Sequence, residues 1–107
     1  PTKWLLNLPN PPDGIFGVND QVCFGALSVI REKGLQVPHQ IAIIGFDNNP
    51  LSQYFYPTLS SVGRQSKDIG IEAAHLFLEH LEQAFSPQSI VLPPELIIRD
   101  SSKKVGI

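Results

Sequence analysis

Apolar and polar positions fall into blocks along the chain. Ile15-Phe16-Gly17-Val18 is followed by Asn19-Asp20, and Ile41-Ala42-Ile43-Ile44-Gly45-Phe46 by Asp47-Asn48-Asn49-Pro50. Both runs are nearly continuous in apolar residues rather than alternating, which predicts strands buried on both faces. Between them Cys23, Ala26, Leu27 and Ile30 recur at helical spacing. They predict a helix that lays this face on the sheet, with Phe24 off the stripe. Asp20 is its expected cap and Asn19 the rival. Arg31-Glu32-Lys33 form a solvated last turn, and Gly34 supplies a left-handed stop. Val37-Pro38 is extended and feeds the second strand. Strand, helix and strand in one short span predict a parallel pair with a right-handed crossover. Asn19 and Asp47 then stand side by side at the carboxyl ends of neighbouring strands, the edge at which open α/β sheets bind ligands.

The remaining segments give weaker signals. The prolines of residues 1 to 14 exclude helix and predict a turn into the first strand, with Trp4 plugging an apolar surface. Residues 48 to 53 read as a loop or short helical turn. Tyr54-Phe55-Tyr56-Pro57 is either a local plug on the sheet edge or an interface patch. Thr58 to Val62 reads as an extended connector. A second helix runs from about Ser66, its expected cap, to Ala84, with Ile69, Ala73, Leu76, Phe77, Leu81 and Ala84 on one face. Ser86-Pro87 ends it. Short strands are expected at Ile90-Val91-Leu92 and Leu96-Ile97-Ile98, and the Ser101-Ser102-Lys103-Lys104 tail is expected to fray.

Composition narrows the function classes. With 107 residues the chain holds one modest core, and at 42% hydrophobic and 17% charged it should fold. A formal net charge of −2, with acids and bases interspersed, argues against a nucleic-acid-reading face. The single cysteine, Cys23, excludes an internal disulfide and fits a reducing compartment. No apolar run approaches a membrane span, and no signal peptide is visible. The first residue is Pro1, so the expectation is a piece cut from something longer.

Most site chemistry is missing from the pattern. His75 and His80 are five apart on one helix and do not share a face as metal ligands would. No phosphate-cradling glycine loop follows either strand, and no Gly-x-Ser-x-Gly elbow occurs. Asp20 and Asp47 could act as paired carboxylates, but one helix cap and one ligand acceptor is the simpler reading, so no enzyme, metal or cofactor is expected. What survives is the pair Asn19 and Asp47. A carboxylate accepts two hydroxyls and an amide both donates and accepts, which suits a neutral sugar, polyol or nucleoside. The alternative is that both residues only cap the elements that come after them.

The order of these pieces carries a resemblance. Asp13-Gly14-Ile15-Phe16-Gly17-Val18-Asn19-Asp20 with Gly25-Ala26-Leu27 resembles a signature of the lactose/galactose-repressor (LacI/GalR) family of bacterial transcription regulators. Gly34-Leu35-Gln36-Val37-Pro38 with Ile41 to Asn48 is similar to the next signature of that family. Pro57 to Val62, Gly70 and Leu92 to Ser101 are similar to the family's subsequent segments, so the match runs from about Pro11 to Ser102 with its spacing intact. It implies an α/β fold with a parallel sheet, of the type I periplasmic-binding-protein kind, of which this chain is the C-terminal fragment. Residues 1–62 and 92–107 would form the C-terminal lobe, and 63–91 would cross to the N-terminal lobe.

The same resemblance implies that Asn19 and Asp47 touch the effector, often a sugar or a purine. It implies that Phe24 on the first helix and Tyr54, Phe55 and Tyr56 face a twin subunit. It further implies a cytoplasmic homodimeric repressor that reads operator DNA through an N-terminal helix-turn-helix. The alternative is a periplasmic sugar-binding protein of a transport system. The chain departs from the family at Gly63-Arg64-Gln65, where many members have Arg-Gln-Pro, so no role carries over to Arg64. The helix from Ser66 would then lack its own lobe. Its face should either fold back on the sheet or, as expected here, pack through Phe77 or Leu81 on another copy.

Overall fold

The computed structural model describes residues 1–82 and 88–104. The expectations at Ala84 and Ser86-Pro87 lie outside the described residues. A four-stranded sheet has the order β1-β2-β3-β4. Its strands are β1 (Gly14–Phe16), β2 (Ala42–Phe46), β3 (Ser60–Gly63) and β4 (Glu95–Ile97). β1 and β2 are parallel, as are β2 and β3, and β4 runs antiparallel to β3. The segment expected to be a mere connector, Thr58 to Val62, thus contains an inner strand. Its Ser60-Ser61 pair hid it, because serines sit in a buried strand only when other elements hold their hydroxyls.

Helix α2 (Asp20–Glu32) crosses from β1 to β2 and buries Cys23, Ala26, Leu27 and Ile30, as the periodicity predicts. These four meet Ile41, Ile43 and Leu59 to make the buried core. Fully burying a side chain of this size contributes about 1.5–3 kcal/mol, so this small cluster carries much of the stability. Gly34 ends the helix at φ 72, the left-handed stop. The strands are not covered on both faces. β2 alternates, with Ile43 and Gly45 buried and Ala42 and Ile44 half-buried, and Phe16 stays 63% exposed. The second face is thus only partly covered by the described residues.

Other differences are local. A short helix α1 (Thr2–Leu6) precedes the prolines, where no proline interrupts its turn. Trp4 lies 67% exposed on it rather than plugging a surface, and Leu6 instead packs against the core. A 3₁₀ turn spans Pro50–Gln53. The bonds before Pro38 and Pro57 are cis. Ile90 to Leu92 form no strand, and Ile90 and Val91 are exposed.

The expected frayed tail is instead anchored. Ser101 is fully buried, and its hydroxyl donates to the Ile43 carbonyl at 2.7 Å while accepting the Ser60 N–H at 2.8 Å. Helix α3 (Ser66–Glu82) buries none of its residues. It does not fold back on its sheet, since Phe77 is 63% and Leu81 68% exposed.

Candidate functional site

The pairing register sets the site. Phe16 pairs with Ile44, and three residues beyond each of them come Asn19 and Asp47. Both therefore follow the carboxyl ends of adjacent parallel strands, each three residues past the last paired position. Asn19, not Asp20, caps α2: its Oδ1 accepts the Val22 N–H at 2.9 Å. That bond fixes the amide's orientation and leaves its N–H groups without a partner among the described residues. Asp47 is exposed and sits at φ 91, followed by Asn48 at φ 48. Consecutive non-glycine residues in this region cost about 1–3 kcal/mol each and persist only where neighbours over-determine them.

The neighbours do so. The Asp47 N–H donates to the Val62 carbonyl at 2.8 Å. The Asn48 N–H donates to the Ser61 hydroxyl at 2.9 Å, and its Oδ1 accepts from Arg99 Nη2 at 2.9 Å. Arg99 also donates to the Leu59 carbonyl at 2.7 Å, which ties the turn to the end of the chain. Asp20, read from the sequence as a cap, is instead a buried acceptor, 1% exposed. Ser61 Oγ donates to its Oδ1 at 2.6 Å, and Ser52 Oγ and the Asn49 N–H donate to its Oδ2 at 2.5 and 2.8 Å. Gly45 leaves the room for this, because a Cβ there would lie 2.1 Å from Asp20 Oδ1.

A cavity of about 240 Å³ opens between the Asp47-to-Pro50 turn and Gln65, Ser66 and Lys67. Asn19 does not line it, so the parallel pairing brings the two residues to neighbouring strand ends without placing both in this cavity. Sequence reasoning missed Gln65, Ser66, Lys67 and Arg99; these come from distant segments, and only the topology brings them near Asp47. A larger cavity, about 490 Å³, lies between the end of α2 and Pro57, lined by Leu27, Ile30, Arg31, Val37, His39 and Tyr56 among others. It holds neither expected ligand residue. Beneath the edge, Cys23 Sγ donates to the Ile44 carbonyl at 3.5 Å. Burial, then the charge of Asp20, push this thiol from 9.0 up to about 11 despite a hydrogen bond from Gly17.

The aromatic cluster divides its roles. Phe55 stacks on Phe24 of α2, with ring centroids 3.9 Å apart and planes within 4°. Tyr54 and Tyr56 point outward, 77% and 86% exposed. Arg31 donates to the Tyr56 carbonyl at 2.8 Å and so holds the segment against the helix. Farther along, where β3 and β4 lead away, Arg64 Nε donates to the Pro93 carbonyl at 2.8 Å and Nη2 lies 3.4 Å from Glu95.

The periplasmic binding protein-like domain family matches residues 2–102. The transcriptional repressor CytR of Escherichia coli K12 is 40% identical over 100 residues, covering 92% of this chain and 29% of CytR. The repressor PurR of Actinobacillus pleuropneumoniae serotype 3 (strain JL03) is 35% identical over 105 residues, covering 95% of this chain and 31% of PurR. A LacI-family regulator of Arthrobacter sp. FB24, solved in complex with lactose, superposes with a TM-score of 0.84 at 30% identity, over 95% of this chain and 38% of that one. The chain thus spans about a third of the length of these relatives. Its sequence match and its fold agree: the chain belongs to the periplasmic binding protein-like domain family, in the form carried by LacI-family transcription regulators.

Proposed function

We propose that this chain is the ligand-sensing and dimerisation part of a DNA-binding transcriptional repressor that responds to a small polar molecule of the sugar class, with nucleosides second. The carrying observation is Asp47, an exposed carboxylate held at φ 91 by the surrounding network, on the sheet edge that also carries Asn19, whose amide N–H groups have no partner among the described residues. One side chain accepts and the other donates, which matches the hydroxyls of a neutral polyol. The lactose held by the Arthrobacter regulator supports the ligand class. The curated relatives are named as repressors, which favours regulation over periplasmic transport, and with it a cytoplasmic site of action.

Residues 63–91 cross to a second lobe in this reading. The α3 apolar face, none of whose described residues is buried, supports that, as does the Arg64 clamp across the two outgoing segments. Tyr54 and Tyr56, with Phe24 and Phe55 beneath them, form the dimer patch. Among the described residues no helix is long and apolar enough to cross a membrane. Ligand closes the lobes, and the unequal affinity of the two states shifts the spacing of paired DNA-binding heads. The protein binds and does not catalyse. Operator binding by the full-length gene product, measured with and without each member of a sugar and nucleoside panel, tests the proposal. A ligand-dependent change in operator affinity is expected, and equal affinity across the panel refutes it.

A further inference from the structure

We infer that Asp20 is the positioning residue of the ligand edge: it holds the Asp47 turn through the backbone of Asn48 and Asn49, and sets affinity without touching ligand. The inference rests on the reading of Asp47 as a ligand acceptor. At 1% exposure Asp20 cannot meet a ligand itself. Its donors are all neutral and no ion pair to it occurs among the described residues, so the donors themselves must satisfy its charge. They come from the turn after Asp47, the adjoining 3₁₀ turn, and β3.

Both amides after Asp47 end on this carboxylate. The Asn49 N–H reaches Oδ2 directly at 2.8 Å. The Asn48 N–H reaches Ser61 Oγ at 2.9 Å, and that hydroxyl donates onward to Oδ1 at 2.6 Å. A hydroxyl that accepts and donates at once is polarised by both bonds, so the two strengthen each other. Asp20 is also the first residue of α2, next to the capping Asn19. One side chain thus locks the spacing between the donor position and the acceptor position. Gly45 is the space this lock needs, since any side chain there would displace the carboxylate.

The test uses the full-length gene product with Asp20→Asn, and with Ser61→Ala as a milder variant that leaves the carboxylate in place. Amide hydrogen exchange should accelerate about ten- to a hundredfold at Asn49 in Asp20→Asn, where the charge of its acceptor is lost, and at Asn48 in Ser61→Ala, where its acceptor is removed, while α2 and β2 amides keep their protection. Unchanged protection at Asn49 in folded Asp20→Asn, or at Asn48 in folded Ser61→Ala, overturns the inference. Affinity is then measured for the sugar or nucleoside, from a panel including lactose, that most raises the thermal midpoint. Asp20→Asn should weaken binding in the wild-type background and have little further effect in an Asp47→Ala background. Full additivity would show that Asp20 does not act through Asp47. If Asp47→Ala alone leaves affinity unchanged, the ligand reading fails, while the exchange arm still decides whether Asp20 holds the turn.

Discussion

Ser101→Ala removes a hydroxyl that joins three segments. Ser101 is fully buried; its hydroxyl donates to the Ile43 carbonyl and accepts the Ser60 N–H, and its backbone bonds Ile43 and Thr58. Alanine keeps the backbone bonds and deletes the other two. The Ser60 N–H and the Ile43 carbonyl then lose these partners inside a buried site, and each such loss costs about 1–3 kcal/mol. The Ile43 carbonyl has a second lone pair, so the sum should fall near the low end, about 2–4 kcal/mol. Ser102→Ala is the control: it is half-buried and loses one bond to Ser60 Oγ, which keeps the Arg99 N–H, so its cost should be about 1 kcal/mol or less. Urea unfolding followed by circular dichroism, with hydrogen exchange at the Ser60 amide, measures both. A Ser101→Ala midpoint equal to wild type, with the Ser60 amide still protected, would refute the reasoning.

Gly45→Ala should cost more than the usual surface substitution, because its Cβ would meet Asp20 Oδ1 at 2.1 Å and Asp20 Cα at 3.0 Å; a midpoint within about 0.5 kcal/mol of wild type contradicts this. Cys23 should resist alkylation at pH 8 until the protein unfolds, as its thiol is buried and its pKa raised to about 11. Since the folded pKa lies above the unfolded value, this group's contribution is fully present below about pH 9 and is lost as the pH rises towards 11. Replacing the cysteine by serine should flatten that part of the stability profile. Tyr54→Ser combined with Tyr56→Ser should shift the full-length protein towards monomer in sedimentation, and an unchanged dimer would remove these exposed rings from the interface.

The β1-α2-β2 unit was legible because its signals are local: helical spacing in Cys23, Ala26, Leu27 and Ile30, a left-handed stop at Gly34, and two apolar runs. Strand β3 was not, since Ser60 and Ser61 read as connector until Arg99, Ser102 and Asp20 are brought to their hydroxyls from far along the chain. The same non-local cause hid the anchoring of Ser101. For the site, the sequence pointed to Asn19 and Asp47 but assigned the cap to the wrong rival. Asn19 and Asp20 are neighbours of near-equal capping ability, and only the buried Ser52 and Ser61 hydroxyls show which of them is needed elsewhere. The burial of both sheet faces was over-read from composition: an apolar run marks what can be covered, whereas Phe16 and Ile44 show what is covered by the described residues.

Calorimetry of ligand binding to the full-length protein, wild type against Asp47→Ala, tests the central claim most directly. The probe is the sugar or nucleoside that most stabilises the wild type. Asp47 is exposed, so its removal leaves the core intact and circular dichroism should be unchanged. Losing one charge-assisted acceptor should weaken binding by about 1.5–3 kcal/mol, roughly ten- to a hundredfold or slightly more. Equal affinity in the folded variant would take Asp47 out of the site and contradict the account.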